Sequence, residues 1–425
     1  MFKIKKEAPT PRLRLAAPQG GVFALGRPGV KKFTLALGLC SALSVTTAWA
    51  DIKVGALFPF SGALALLGQE SYRGLELAVN EINAAGGING EKIEILKADA
   101  VDPTQAVSET KRLVSSGVAA VFGSYASGIS YAASPVTELA GIPYFELGAT
   151  AHKITTRGYK YLFRSNPNTA LYGVAVIDAL HDIVAPGMGL NPKDIRIGII
   201  HEDGPYGTDV AATEKKRAQE LGYTVAEVLP YSAKTVDLSS LILRLKGAKV
   251  DVVLQTAYQN DAILYFSQAR AGGFKPKVVI GAGGGYSLAD TAKAVGADMN
   301  GVFDLDFPQS SINPAGAPGL DKFLQAYKTT YKSDPQSGHS LTNYVGAKAF
   351  FEAIGNAKST DPEKIREAVL AYKKPAGQTA NGWGFEFGED GQNKASTFYV
   401  MQWQDGKLVT IAPSNLAQGK PIFNK

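Results

Sequence analysis

Short apolar runs alternate with amphipathic stretches along most of the chain. β-Rich runs occur at Ile52–Phe60, Lys92–Asp99, Val118–Gly123, Ile142–Leu147 and Tyr161–Arg164. Between them the apolar spacing turns helical. In Ser71–Gly87, Leu75, Ala78, Val79 and Ile82 fall on one face, and Gly86-Gly87 supplies the stop. The alternation starts again at Ile195–His201 and runs through Tyr223–Tyr231, Val250–Thr256, Lys277–Gly281 and Gly301–Phe307. Such alternation predicts parallel α/β sheets. Two consecutive five-strand sets predict two similar lobes.

No Gly/Ser-rich or charged linker separates the lobes, so the joins are read as ordered crossovers at Ser165–Asn168 and Asp306–Ser310. The helical segments Leu320–Tyr331 and Asn343–Ala357 fit the first lobe better than a third domain. A C-terminal hairpin is expected, turning at Asp405-Gly406. The expected division is 51–167 plus 309–383 for the first lobe and 168–308 plus 384–425 for the second, with a ligand cleft between them.

The first fifty residues read differently. Lys31 and Lys32 precede the short apolar run Phe33–Val45, and small residues follow at Ala48 and Ala50. This order is that of a secretory signal cleaved after Ala50, with a run too short to span a bilayer. Eight of the 44 Lys and Arg residues and one of the 38 Asp and Glu residues lie in this leader, leaving the remainder one charge negative. The basic balance therefore belongs to the leader, and net charge gives no case for nucleic-acid binding. The one cysteine, Cys40, lies in the leader too, so the exported chain has no disulfide, thiol nucleophile or cysteine-held metal. With no second apolar stretch long enough to cross a membrane, a soluble exported product is expected.

Candidate chemistry gathers at strand ends. Gly281–Asp290, "GAGGGYSLAD", follows an apolar strand as a phosphate loop would. It lacks the Walker lysine, and Tyr286 stands where G-x-G-x-x-G needs its last glycine. The four histidines, His152, His181, His201 and His339, have no metal-ligand spacing, and no nucleophile elbow is present. No cofactor, metal or catalytic residue is expected, so the chain is read as a non-enzyme. Ser127 opens a helix after the third strand, where N–H groups and the dipole suit an anion. Taken alone, it reads first as an ordinary N-cap serine. Thr150 repeats the arrangement after the next strand, and ligands of open parallel sheets sit beyond the carboxyl ends of strands. The two hydroxyls together point to a carboxylate pocket. Tyr125, Tyr206, Tyr258 and Tyr286 also lie at strand ends; each alone is ordinary packing, and together they would wall an apolar pocket.

These stretches resemble the periplasmic leucine/isoleucine/valine-binding proteins and their hydrophobic-amino-acid and amide-binding relatives. The resemblance runs through Gly55–Ile95, Asp102–Ser127, Gly141–Thr150, Tyr161–Asn168, Ile197–Gly207 and Leu241–Phe274. It implies a type I periplasmic-binding-protein fold: two doubly wound parallel-sheet lobes, joined by three crossovers, that close on a solute. The solute then passes to the permease and ATPase subunits of an ABC importer. The resemblance also implies that Ser127 and Thr150 hold a carboxylate, that backbone at Gly148 and Ala149 borders it, and that Tyr206 and Tyr258 come from the second lobe. Leu67 stands where some leucine-binding members have a larger aromatic residue.

One departure stands out. Amino-acid-binding members place a carboxylate in the loop after the fourth strand of the second lobe, to pair with the ligand's ammonium. Here that place is Gly283, and no acid occurs between Gly281 and Ala289. Either the ligand has no ammonium, or Glu146, Glu202 or Asp203 compensates. The expectation is a monomeric solute-binding protein for a small carboxylate with an apolar or aromatic body. A neutral aliphatic amino acid, an amide, or a ligand sensor coupled to a partner are the alternatives.

Overall fold

The computed structural model describes residues 51–423, so the signal segment and its cleavage at Ala50 lie outside the described residues. Residues 51–423 belong to one compact unit. Its first sheet holds β1 (Ile52–Phe58), β2 (Ile93–Asp99), β3 (Ala120–Gly123), β4 (Tyr144–Glu146) and β5 (Leu162–Arg164). Their order is β2-β1-β3-β4-β5 and every pairing is parallel. The second sheet holds β6 (Arg196–Glu202), β7 (Thr224–Tyr231), β8 (Val252–Thr256), β9 (Val278–Ala282) and β10 (Phe303–Asp306). It runs β7-β6-β8-β9-β10 in parallel.

β8 and β9, "VVLQT" and "VVIGA", are buried along their whole length because helices cover both faces of the sheet. Local chemistry sets where the helices start. Asp102 accepts from the Gln105 amide at the head of Pro103–Ser115, with Pro103 at the first helical position. The helices Leu320–Tyr331 and Gly338–Ala357 return to the first lobe, where Glu81 meets Lys322, Lys348 and Tyr344. Two short strands follow, β11 (Lys373–Lys374) and β12 (Phe385–Glu386). The C-terminal hairpin is β13 (Tyr399–Gln404) and β14 (Lys407–Ala412), added antiparallel beside β10.

Two expectations shift. The segment after Trp383 remains with the first lobe as far as Asn393: β12 pairs with β11, the Arg164 amide donates to Gly391, and the Asn393 amide donates to Arg164. The third crossover therefore follows Asn393, rather than falling between 383 and 384. It lies beside the first, stitched by Gln392 Nε2 to the Asn166 carbonyl (2.8 Å) and Asn393 Nδ2 to the Ser165 carbonyl (2.9 Å). Secondly, Thr169–Gly187 is long and apolar enough by composition to cross a membrane, contrary to the expectation that no such stretch follows the leader. It packs in the second lobe against the helix Pro205–Glu220, burying Tyr172, Gly173, Val176 and Ile177.

Candidate functional site

In each sheet the strand order reverses at its first strand, at the β1/β3 and β6/β8 pairs, and the carboxyl ends of both sheets face one cleft. The cleft is narrow and leaves a cavity of about 20 Å3. Of the ten residues expected there, Tyr125, Ser127, Gly148, Thr150, Tyr206, Tyr258 and Gly283 line it.

Ser127 is the first residue of the helix Ser127–Leu139, and Ala126, not Ser127, holds the cap position. The serine hydroxyl makes no capping bond. Its Oγ accepts from the amides of Thr150 (3.2 Å) and Ala151 (3.1 Å), tying the β3 loop to the β4 loop. With its lone pairs occupied, the hydroxyl proton is left to donate outward. The neighbouring loop is held from below by Glu146, a buried acid that gathers the amides of Ser124, Gly148 and Ala149 at 3.0, 2.8 and 2.6 Å and the Ser130 hydroxyl. Burial pushes the Glu146 carboxyl up to about 7 despite these donors. Arg164, also buried, reaches the carbonyls of Ala149 and Ala151 at 3.3 and 2.7 Å.

Three expected residues fall outside the lining. Ala149 is buried behind Gly148, its amide on Glu146 and its carbonyl on Arg164. Tyr286 belongs to the second lobe's core: it is fully buried, packs on Phe266, and donates to Gln255 Oε1 at 2.5 Å. Leu67 is buried at the edge of the cleft, its Cδ1 close to Gly284. The proposed compensating acids are also elsewhere. Glu146 faces its own loop, Glu202 accepts from the amides of Gly204 and Gly207 at the head of Pro205–Glu220, and Asp203 is exposed.

The lining instead includes Tyr172, Gly284, Asp306, Phe307 and His339. Asp306 ends β10, the strand beside β9, so the sheet brings a carboxylate next to the bare loop that lacks one. Asp306 is buried, its Oδ2 has no hydrogen-bond partner, and burial pushes its carboxyl up to about 7 against the lowering effect of the Ser287 hydroxyl and the Phe307 amide. Two residues earlier on the same strand face, Asp304 is buried with neither oxygen partnered; burial, then the charge of Asp306, raises it well above the usual carboxylate range. The spacing "DLD" was the available signal, hidden because the segment reads as an alternating strand running into a crossover.

Aromatic rings, counting His339, make half of the wall. Tyr125, Tyr258, Tyr206 and Tyr172 follow one another with centroids 6.0, 5.7 and 6.3 Å apart. Tyr206 donates to the Ala282 carbonyl, and Tyr172 to that of Leu305 at 2.5 Å. Gly283, at φ +104°, admits this arrangement: a side chain there would run into Tyr206 Oη. Among the described residues, no group of three or more His, Cys, Asp or Glu side chains could hold a metal ion.

The arrangement has known counterparts. The model of a family described as periplasmic binding protein matches residues 51–407. A Leu/Ile/Val-binding protein homolog 8 of Brucella suis biovar 1 (strain 1330) is 52% identical over 91% of this chain and 96% of its own length. The branched-chain amino acid transporter substrate binding protein LivJ of Streptococcus pneumoniae, solved in complex with isoleucine, superposes with a TM-score of 0.73 at 25% identity, covering 85% of this chain and all of that one. A solute binding protein of R. palustris, solved in complex with 4-hydroxybenzoate, superposes at 0.73 with 21% identity, over 85% of this chain and 96% of its own.

Proposed function

The chain belongs to the periplasmic binding protein family, a family of binding proteins rather than enzymes, and we propose that it captures a small amino-acid-type zwitterion for an ABC importer. The carboxylate of the solute is received by the Ser127 hydroxyl and by Thr150, and its positive nitrogen is turned toward Asp306. Export through a signal cleaved after Ala50 and closure of the two lobes over the solute complete the reading.

One observation carries it. Asp306 Oδ2 is a buried carboxylate oxygen without a partner in the cleft wall. A buried carboxylate oxygen left without a partner is costly, and a cationic group on the solute would satisfy it. The loop after β9 lacks an acid, and we read Asp306, one strand over, as taking its part. Two of the three relatives named above fit this reading, one a Leu/Ile/Val-binding homolog and one solved with isoleucine.

A second reading keeps the solute free of any amine. It is favoured by the burial that pushes Asp306 up to about 7, which lets the carboxyl stand protonated beside an apolar or aromatic acid. Calorimetric titration of the purified protein with L-leucine and with its deaminated analogue, 4-methyl-2-oxopentanoate, separates the two. Heat from the amino acid alone supports the zwitterion; heat from the keto acid alone overturns it.

A further inference from the structure

We propose that the second lobe carries a second binding site, away from the cleft, for an amphiphilic acid: a hydrocarbon body with one anionic head. The site is independent of the solute that the cleft takes.

The carboxyl ends of β9 and β10 face the cleft, and their amino ends border a different cavity. It measures about 940 Å3, within the range of ~300–1,000 Å3 common for small-molecule sites. Val278 and Val279, which open β9, and Phe303, which opens β10, line it together with Phe266 and Phe274. The C-terminal segment makes another wall. Gln402 fixes that segment by its main chain, accepting from the Ile422 amide at 2.7 Å and donating to the Ile422 carbonyl at 2.7 Å. Phe423 stacks on Phe303 with ring centroids 6.0 Å apart. Ile422 nevertheless stays 49% exposed while lining the cavity. An isoleucine held in place and left half in water is surface that a hydrocarbon body would cover.

The charges select the head group. Three cations, Arg270, Lys275 and Lys277, border the cavity against a single acid, Asp298. Arg270 pairs with Asp298 at 2.6 Å, and Lys277 pairs with Asp251 at 2.9 Å. Lys275 is exposed and has no ion-pair partner among the described residues. An anionic head meets this unspent ammonium, whereas a cationic head meets an excess of its own sign. Tyr265 borders the cavity too, but its hydroxyl is buried and unpartnered, too covered to receive the head.

The test is calorimetric titration of the purified protein with octanoate, decanoate, 1-decanol and decyltrimethylammonium, alongside sedimentation with phosphatidylglycerol vesicles. Decanoate is expected to bind about tenfold tighter than octanoate, since each buried methylene is worth about fourfold. Ala297→Trp puts an indole at an exposed position of the lining and should weaken decanoate about tenfold. Lys275→Glu should cost decanoate about threefold and leave 1-decanol level. Melting curves check that both variants fold. Equal affinity for the ammonium amphiphile, or decanoate binding unchanged in Ala297→Trp, overturns the inference. So does decanoate binding that is lost in Ser127→Ala, which would put the acid in the cleft. Sedimentation with vesicles in the absence of decanoate binding would show a membrane-reading surface and overturn it as well. None of these outcomes bears on the zwitterion reading, which the titrations with L-leucine and its keto acid decide separately.

Discussion

Gly284 of the second lobe meets His339 of the first with no room for a methyl group between them. A Cβ on Gly284 would lie 3.0 Å from His339 Nε2, and the neighbouring atoms, Leu67 Cδ1 at 2.9 Å and Tyr125 Oη at 3.2 Å, also belong to the first lobe. The bare loop after β9 is therefore one of the places where the lobes touch.

Gly284→Ala should hold the lobes slightly apart. The atoms it would push are side-chain tips, so folding should survive while closure is impaired. We expect affinity for the solute to fall about tenfold, by analogy with overpacking costs of ~1–3 kcal/mol. Small-angle scattering of the solute-saturated protein should give a larger radius of gyration than wild type. An unchanged radius with unchanged affinity would show that the contact does not control closure.

Ser127→Ala should cost more than the loss of one ligand contact. It removes the donor to the carboxylate and leaves the amides of Thr150 and Ala151 without their acceptor. The expected loss is ~1.5–3 kcal/mol of binding, tenfold or more in affinity. Titration calorimetry would contradict the carboxylate assignment if affinity held.

The extent to which the sequence revealed this site follows from what local pattern encodes. Ser127, Thr150, Tyr206 and Tyr258 were legible because each directly follows a strand whose apolar run is unmistakable. Asp306 and His339 were not. Asp306 ends a strand whose neighbour is known only once sheet order is known, and His339 comes from a helix beginning 32 residues further on, at Gly338. Tyr286 failed for the opposite reason: its position beside the glycines suggests the cleft, but the short helical turn Gly284–Ser287 carries its ring back into the core. Burial of Glu146, Glu202 and Asp306 could not be ranked from sequence either, since each ends a strand.

Asp306 gives the binding a pH dependence. Its carboxyl is raised to about 7 by burial, so below that pH the unliganded site is protonated and offers no charge to a cation. Affinity for an ammonium-bearing solute should be level well above pH 7 and fall as pH drops through 7, approaching tenfold per unit. Asp306→Asn should bind weakly and without this slope. The same variant should be the more stable unliganded protein at pH 8, because wild type then buries an unpaired charge. A wild-type affinity independent of pH from 6 to 8 would exclude Asp306 as the partner of a cation.

Glu214 supplies a second pH effect, away from the cleft. It is fully buried on the helix Pro205–Glu220, neither oxygen has a partner, and burial alone raises its carboxyl from 4.5 to about 8. Between those values the folded protein holds a proton that the unfolded chain has released, so stability falls as pH rises from about 4.5 to 8. Glu214→Gln removes the charge and nearly keeps the shape. Its melting temperature should match wild type near pH 5 and exceed it increasingly toward pH 8, where the gain should reach ~1–3 kcal/mol. The control lies in the pH series itself: a difference of equal size at pH 5 and pH 8 would reflect packing and not the ionisation of Glu214.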